Sequence, residues 1–230
     1  DLIIVVATTA GSSKNEYNDY MNFTINYTLY NDTTRPTISL GNPQNDTFST
    51  TANTIFYFTP SDENTISNCT LILNGTRNET ITPITNGTQN NISAALFDGL
   101  WLWTVNCTDS WNNTGTNTTQ KLVKVDTTPP VVNLQSPGNN TPWTSTQAVT
   151  FTYNTTDVMA NVSSCELIVD GASRVTNNTP VESQSMNFSF SPGNGQHNWS
   201  INCTDSNGFE GASYTYNLTV NYAGRTVQTD

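Results

Sequence analysis

The pentapeptide NCTDS occurs at Asn106–Ser110 and again at Asn202–Ser206. Three of its side chains can do chemistry. A thiol forms disulfides or ligates metal, an asparagine in N-x-S/T accepts glycan, and a carboxylate caps a turn or ligates a hard cation. The cysteines answer first. Cys69 and Cys107 lie 38 residues apart, as do Cys165 and Cys203, which implies one disulfide inside each of two repeats. Metal ligation is the alternative reading of these thiols, but the chain has no CxxC and its single histidine, His197, lies on a Gly-rich turn. On the chain-entropy account, closing a loop of this size stabilises a domain by roughly 4 kcal/mol.

The acceptors are more numerous than composition requires. Asn22, Asn26, Asn31, Asn45, Asn68, Asn74, Asn78, Asn86, Asn91 and Asn106 each begin a sequon, and so do Asn112, Asn117, Asn139, Asn154, Asn161, Asn177, Asn187, Asn198, Asn202 and Asn217. Chance placement of the 33 Asn and 61 Ser plus Thr would give roughly nine sequons instead of twenty. A bias toward Asn and Thr is the plainer alternative, but the acceptors also fall where sugars fit, so covalent N-linked glycans are expected and no other cofactor. With 11% charged residues, far under the usual quarter, the chain needs another source of solubility. Sequons and disulfides both place it outside the cell, at the cell surface.

Other chemistry is thin. Asp109 and Asp205 can bind Ca²⁺ with loop carbonyls but lie in no oxygen-rich motif, so turn capping is expected and no metal. One histidine cannot supply a triad to each repeat, and the acids are dispersed, so no catalytic residue and no enzyme is expected. Trp111 and Trp143 can serve a lectin, although an aromatic packed on its own glycan or neighbour is the plainer role. The net charge of −11 and the scattered seven Lys plus Arg exclude a basic patch, hence nucleic acid and anionic membrane surfaces as partners. No apolar run reaches the 18 or so residues of a membrane span, so direct insertion is not expected, and LIIVVA lacks the flank and length of a signal peptide. The chain reads as a mature or trimmed ectodomain.

Strand alternation explains why a thiol and a sugar acceptor are neighbours. In WLWTVNCTD, Trp103, Val105 and Cys107 share one face while Thr104, Asn106 and Thr108 share the other. The second copy turns Trp199, Ile201 and Cys203 inward and Asn198, Ser200 and Asn202 outward. Further strands are expected in TIFYFTP, NISAALF, TQKLVKV, AVTFTYN, SMNFSFS and SYTYNLTVNY, separated by Asn/Gly/Pro/Asp turns. Cys69 and Cys165, Trp103 and Trp199, and Gly75 and Gly171 are each 96 apart, which marks an internal repeat. Two all-β domains, 32–125 and 126–230, each of about seven short strands, are expected to be sandwiches of antiparallel sheets.

The joint DTTPPVVNLQSP, the strands NCTLILNG and SCELIVDG, and the segments WTVNCTDSWNNTG and WSINCTDSNGFEG resemble the Ig-like repeats of archaeal and bacterial cell-surface proteins. The resemblance covers nearly the whole chain, and the dense sequons give it an archaeal look. It implies tandem Ig-like sandwiches whose cysteines fall on neighbouring strands of one sheet. It also implies spacers, adhesin stalks, S-layer parts or filament subunits. Residues 1–31 can be laid over the last two strands of such a domain, with Ala7 at the cysteine position, as an N-terminal β-hairpin that completes a domain not contained in this chain. Its apolar face needs a cover, so Leu2, Ile3, Ile4, Val5, Val6, Phe23, Ile25 and Tyr27 are expected at a subunit interface. The reading that follows is a structural, glycosylated subunit of a surface filament or pilus-like assembly, joined head-to-tail through this segment and possessing adhesive capacity. Stalk repeats of a longer adhesin or S-layer protein are the second reading, and a carbohydrate-binding module the third.

Overall fold

The computed structural model describes residues 31–224 and the backbone of two short antiparallel strands, β1 (Val5–Val6) and β2 (Ile25–Asn26), in which Val5 lies opposite Asn26 and Val6 opposite Ile25. The interface expected at Leu2, Ile3, Ile4, Phe23 and Tyr27, and through the side chains of Val5, Val6 and Ile25, lies outside the described residues, as do Asn22 and the Asn26 side chain. All regular structure among the described residues is β.

The first domain comprises β3 (Thr37–Leu40), β4 (Thr47–Ser49), β5 (Asn53–Ser61), β6 (Ile66–Leu73), β7 (Thr76–Ile81), β8 (Asn90–Ala95), β9 (Gly99–Asp109), β10 (Thr114–Thr116) and β11 (Lys121–Val125). The second repeats them as β12 (Val131–Ser136), β13 (Thr141–Trp143), β14 (Val149–Thr156), β15 (Val162–Val169), β16 (Ala172–Asn177), β17 (Met186–Phe190), β18 (Gly195–Asp205), β19 (Glu210–Ala212) and β20 (Tyr216–Val220). Each is a sandwich of a three-stranded sheet, β3-β5-β8 or β12-β14-β17, on a larger one, β4-β11-β9-β6-β7 or β13-β20-β18-β15-β16, with β10 or β19 paired to the long strand. These are tandem Ig-like sandwiches. Pairing is antiparallel except for β4 with β11 and β13 with β20, where the chain crosses from one sheet to the other and runs parallel to the last strand.

The structure has nine strands per domain where about seven were expected. The additional ones are short or sit at an edge. β7, TRNETI, is exposed at five of its six positions, so no apolar alternation marks it.

The alternation along the long strands builds the core. Trp103, Val105 and Cys107 are fully buried, as are Ile201 and Cys203, with Trp199 1% exposed. Phe56 meets Trp103, and Phe151 meets Trp199, each at 5.0 Å between ring centroids. The structure joins Cys69 to Cys107 and Cys165 to Cys203. Each pair lies directly opposite on adjacent strands, Cα atoms 4.1 and 4.0 Å apart, the close spacing of a non-hydrogen-bonded pair. The bonds run across one sheet and leave the space between sheets to the aromatics.

The outward face is not uniformly wet. Thr104 is 4% exposed because its hydroxyl donates to the Asn117 carbonyl at 2.8 Å, and Thr70 is 1% exposed against the Thr80 hydroxyl at 2.8 Å. Asn106, expected to face solvent, is half-buried opposite Thr116 of β10.

The joints are held by a steric crossing. A Cβ built on Gly115 would stand 1.7 Å from the Pro36 carbonyl oxygen, and one on Gly211 1.9 Å from that of Pro130. Both obstacles are backbone, so a side chain there forces the joint off its short strand. We expect Gly211→Ala to lower the melting temperature of the second domain, by an amount corresponding to about 1–3 kcal/mol, while leaving the first domain's transition in place. Calorimetry of the full chain checks this. Replacing Cys69 and Cys107 together by Ala should cost the first domain about 2–5 kcal/mol in chemical denaturation.

Candidate functional site

The burial stripe on the long strands continues one step past the cysteine. Asp109 is fully buried and Asp205 2% exposed, the next inward positions of β9 and β18. Each turns the following loop. Asp109 Oδ1 accepts the Trp111 and Asn113 N–H groups at 2.7 and 2.9 Å, and Asp205 Oδ1 those of Asn207 and Phe209 at 2.8 and 3.0 Å. The expected turn capping is thus present, but it uses one oxygen of each carboxylate.

Asp32, Asp62 and Asp109 bring one oxygen each within 4.8 Å of one another, and Asp126, Asp157 and Asp205 repeat the arrangement. Asp32 and Asp126 come from the joints, and Asp62 and Asp157 from the loops after β5 and β14. Sequence reading singled out only the Asp109/Asp205 pair. The repeat itself carried the missing signal, because all three acids recur at offsets of 94 to 96 residues.

The two clusters differ in their donors. Asp32 Oδ2 accepts Asn64 Nδ2 at 2.9 Å and Asn113 Nδ2 at 3.2 Å, and Asn113 Nδ2 also reaches Asp109 Oδ2 at 3.0 Å. Hydrogen bonds led by the Thr34 hydroxyl hold the Asp32 carboxyl below its usual range, against the upward push of burial. In the second cluster Met159 and Phe209 stand where Asn64 and Asn113 stand in the first. Asn207 Nδ2 donates to Asp126 Oδ2 at 2.6 Å, and the buried Oδ2 atoms of Asp157 and Asp205 have no hydrogen-bond partner. Burial pushes the Asp126 carboxyl above its usual range, and the charges of Asp157 and Asp205 add to that push against the Asn207 and Thr128 donors.

Asp126 also belongs to the first domain. Its N–H donates to the Ser49 carbonyl of β4 at 3.0 Å. The next two residues are tied back as well: Asp98, in the β8–β9 turn, accepts the Thr127 N–H at 2.8 Å and the Thr127 and Thr128 hydroxyls at 2.7 Å each. Burial raises the Asp98 carboxyl, but these three bonds outweigh it and hold the group below its usual range.

His197 and Trp143 have structural occupations. His197 lies in β18, past the glycine turn that the sequence suggested for it; its Nδ1 pairs with Asp170 Oδ2 at 2.7 Å and its Nε2 lies 3.3 Å from the Gly193 carbonyl. Trp143 packs on the second core and its indole N–H donates to the Thr146 carbonyl at 2.9 Å. Trp111 sits in the Asp109 turn.

Every described sequon asparagine is exposed or half-buried. Their amide nitrogens are not equally free. Asn86 Nδ2 donates to the Asp62 and Asn64 carbonyls at 2.7 and 2.9 Å, and Asn117 Nδ2 to the Ile38 carbonyl at 2.7 Å. On the outer face of the first domain Phe48, Leu100 and Leu102 are exposed; the matching positions of the second are Pro142, Gln196 and Asn198. Two acceptors rim that apolar face, Asn74 Oδ1 taking the Leu102 N–H at 2.8 Å and Asn45 Oδ1 the Leu122 N–H at 2.9 Å. Asp170 replaces Asn74 in the second domain, where it takes the Asn198 N–H at 3.0 Å.

No protein-family model and no curated protein sequence matches the chain. Among solved structures it is similar to the fibronectin(III)-like modules of CbhA from Clostridium thermocellum, at 16% identity over 81% of this chain and 95% of that one, with a TM-score of 0.39. The D00-D0 domain of intimin is 12% identical over 80% of this chain and 100% of that one, with a TM-score of 0.42. The sialic acid binding region of the Streptococcus sanguinis SK1 adhesin is 11% identical over 84% and 78%, with a TM-score of 0.28. The likeness is one of fold alone.

The Asp98 contact carries a pH dependence. With its folded pKa depressed, Asp98 steadies the joint at and above the usual carboxylate range, and the contribution is lost as pH falls through the folded value. At neutral pH, Asp98→Ala should give faster proteolysis within residues 126–131 than the parent chain, and the two should converge in acid.

Proposed function

We propose that this chain is a structural glycoprotein of the cell surface, a subunit of a filament or pilus-like assembly with adhesive capacity. The observation that carries the reading is what the two domains repeat. They share a buried Trp–aliphatic–Cys–Asp stripe, a glycine-braced joint and a surface set with sugar acceptors. These are scaffold features. The one histidine is engaged by Asp170 and Gly193, and the Trp143 indole is occupied in packing and a hydrogen bond to Thr146. Extracellular placement is supported by both disulfides.

Assembly is assigned to residues 1–31. Each sandwich already has its own last strand, β11 or β20, so the MNFTINYTL segment has no vacant place in either. Inserted into a second copy, it makes a head-to-tail contact that propagates unless it closes. Deleting residues 1–31 should leave two disulfide-bonded domains that run as a monomer in light scattering, where the full chain forms larger species. Assemblies of unchanged size after deletion, or a monomeric full chain, would contradict the assignment. The stalk reading would then stand in its place.

Glycans supply the solvation that so few charges cannot, and those on Asn45 and Asn74 shade the apolar face between them. Glycopeptide mass spectrometry should find at least half of the twenty acceptors occupied, with Asn86 and Asn117 bare because their amide nitrogens hold backbone carbonyls at 2.7 to 2.9 Å, whereas the Asn74 amide lies 3.4 Å from the Leu100 carbonyl. Asn74→Gln should increase binding of an apolar dye and lower solubility, and Asn187→Gln should change neither. Equal effects of the two substitutions would remove the shading role.

A further inference from the structure

Three carboxylates converge on one space in the second domain with too few donors to hold them. Asp126 is fully buried, Asp205 is 2% exposed, and Asp157 is half-buried. Their oxygens lie within 4.8 Å of one another, a spacing at which like charges in a poorly hydrated setting repel strongly. One side-chain amide, that of Asn207, reaches them. The buried Oδ2 atoms of Asp157 and Asp205 are left without any partner, and an unsatisfied buried acceptor of this kind calls for a ligand. The Oδ1 atoms of the same two residues are fixed by backbone N–H groups, so the free oxygens cannot swing away without breaking both turns.

We propose that Asp126, Asp157 and Asp205 form a binding site for a hard divalent cation of the Ca²⁺ class at the joint between the two domains. The donor set is oxygen alone, which suits Ca²⁺ or Mg²⁺ over softer metals. Burial selects between these two. Mg²⁺ holds several waters in a strict octahedron, whereas Ca²⁺ accepts protein oxygens at longer and more varied distances. In the first domain Asn64 and Asn113 place amide N–H groups on Asp32 Oδ2, and Asn113 also on Asp109 Oδ2; Met159 and Phe209 at the matching positions of the second domain cannot, so Asp205 Oδ2 lacks the donor that Asp109 Oδ2 has. Because the Asp126 N–H is bonded to Ser49 of the first domain, a cation on its carboxylate braces the joint as well as the second sandwich.

Calcium titrated calorimetrically into the chelator-treated full chain is expected to bind at one site, with Kd in the range of about 0.1–1 mM typical of extracellular modules, and to raise the melting temperature of the second domain. Magnesium at the same concentrations should bind at least about tenfold more weakly. Asp157→Asn removes one charge from a half-buried loop position, keeps the turn, and should weaken calcium binding at least about tenfold while leaving the calcium-free melting temperature unchanged or higher. Asp62→Asn, in the first cluster, should bind calcium like the parent. The proposal is overturned if calcium produces neither heat nor a melting shift up to about 10 mM, or if Asp157→Asn and Asp205→Asn both bind as the parent does.

Discussion

The rest of the structure depends on the period-two stripe carried by β9 and β18. Four successive inward positions read Trp103, Val105, Cys107, Asp109, and Trp199, Ile201, Cys203, Asp205. The tryptophan fills the centre of the sandwich, the cysteine ties the strand to its neighbour, and the aspartate reaches the joint residue of the same repeat. One strand thus sets core, crosslink and connection. A slip of one residue would turn all four outward and bring the sugar acceptors in, so the register is specified far more strongly than a strand with one apolar face would be.

The stripe also separates two chemistries that cannot share a space. Asn106 and Cys107 are neighbours in sequence and lie on opposite faces of a sheet, so a sequon asparagine and a dry disulfide are kept apart by the pleat alone. This lets a chain with few charges keep ordinary apolar cores. Where domain one exposes Phe48, Leu100 and Leu102, it also presents Asn45 and Asn74, and where domain two is polar the second acceptor is an aspartate. The second domain keeps an acceptor at the Asn45 position, Asn139, and carries Asn198 and Asn217 on its polar face, so only the Asn74 position changes with the apolar surface.

Most of the scaffold was legible in the sequence, for the reason that its signals are periodic. The long strands, the cysteine spacing and the joints repeat, and repetition turned weak local patterns into a register of two domains. What escaped lacks such a signal. β7 is nearly all exposed, β10 and β19 are three residues each, and β4 and β13 pair in parallel with strands far away in sequence. The carboxylate clusters were half visible: Asp109 and Asp205 stood out next to the cysteines, while Asp32, Asp62 and their counterparts looked like ordinary turn residues until the fold brought them together. Nothing in the sequence shows that Asn86 and Asn117 use their amides internally, because a sequon looks the same whether its nitrogen is free or bonded.

The joint is a brace: Asp126 sits in the first domain's ladder by its N–H and in the second domain's carboxylate cluster by its side chain, with Asp98 holding the two threonines that follow. Residual dipolar couplings measured on both domains of the full chain test it most directly. A single alignment tensor is expected to fit residues 32–125 and 126–222 together. Two tensors of different magnitude and orientation, fitted independently to the two domains, would show a hinge at the joint and contradict it.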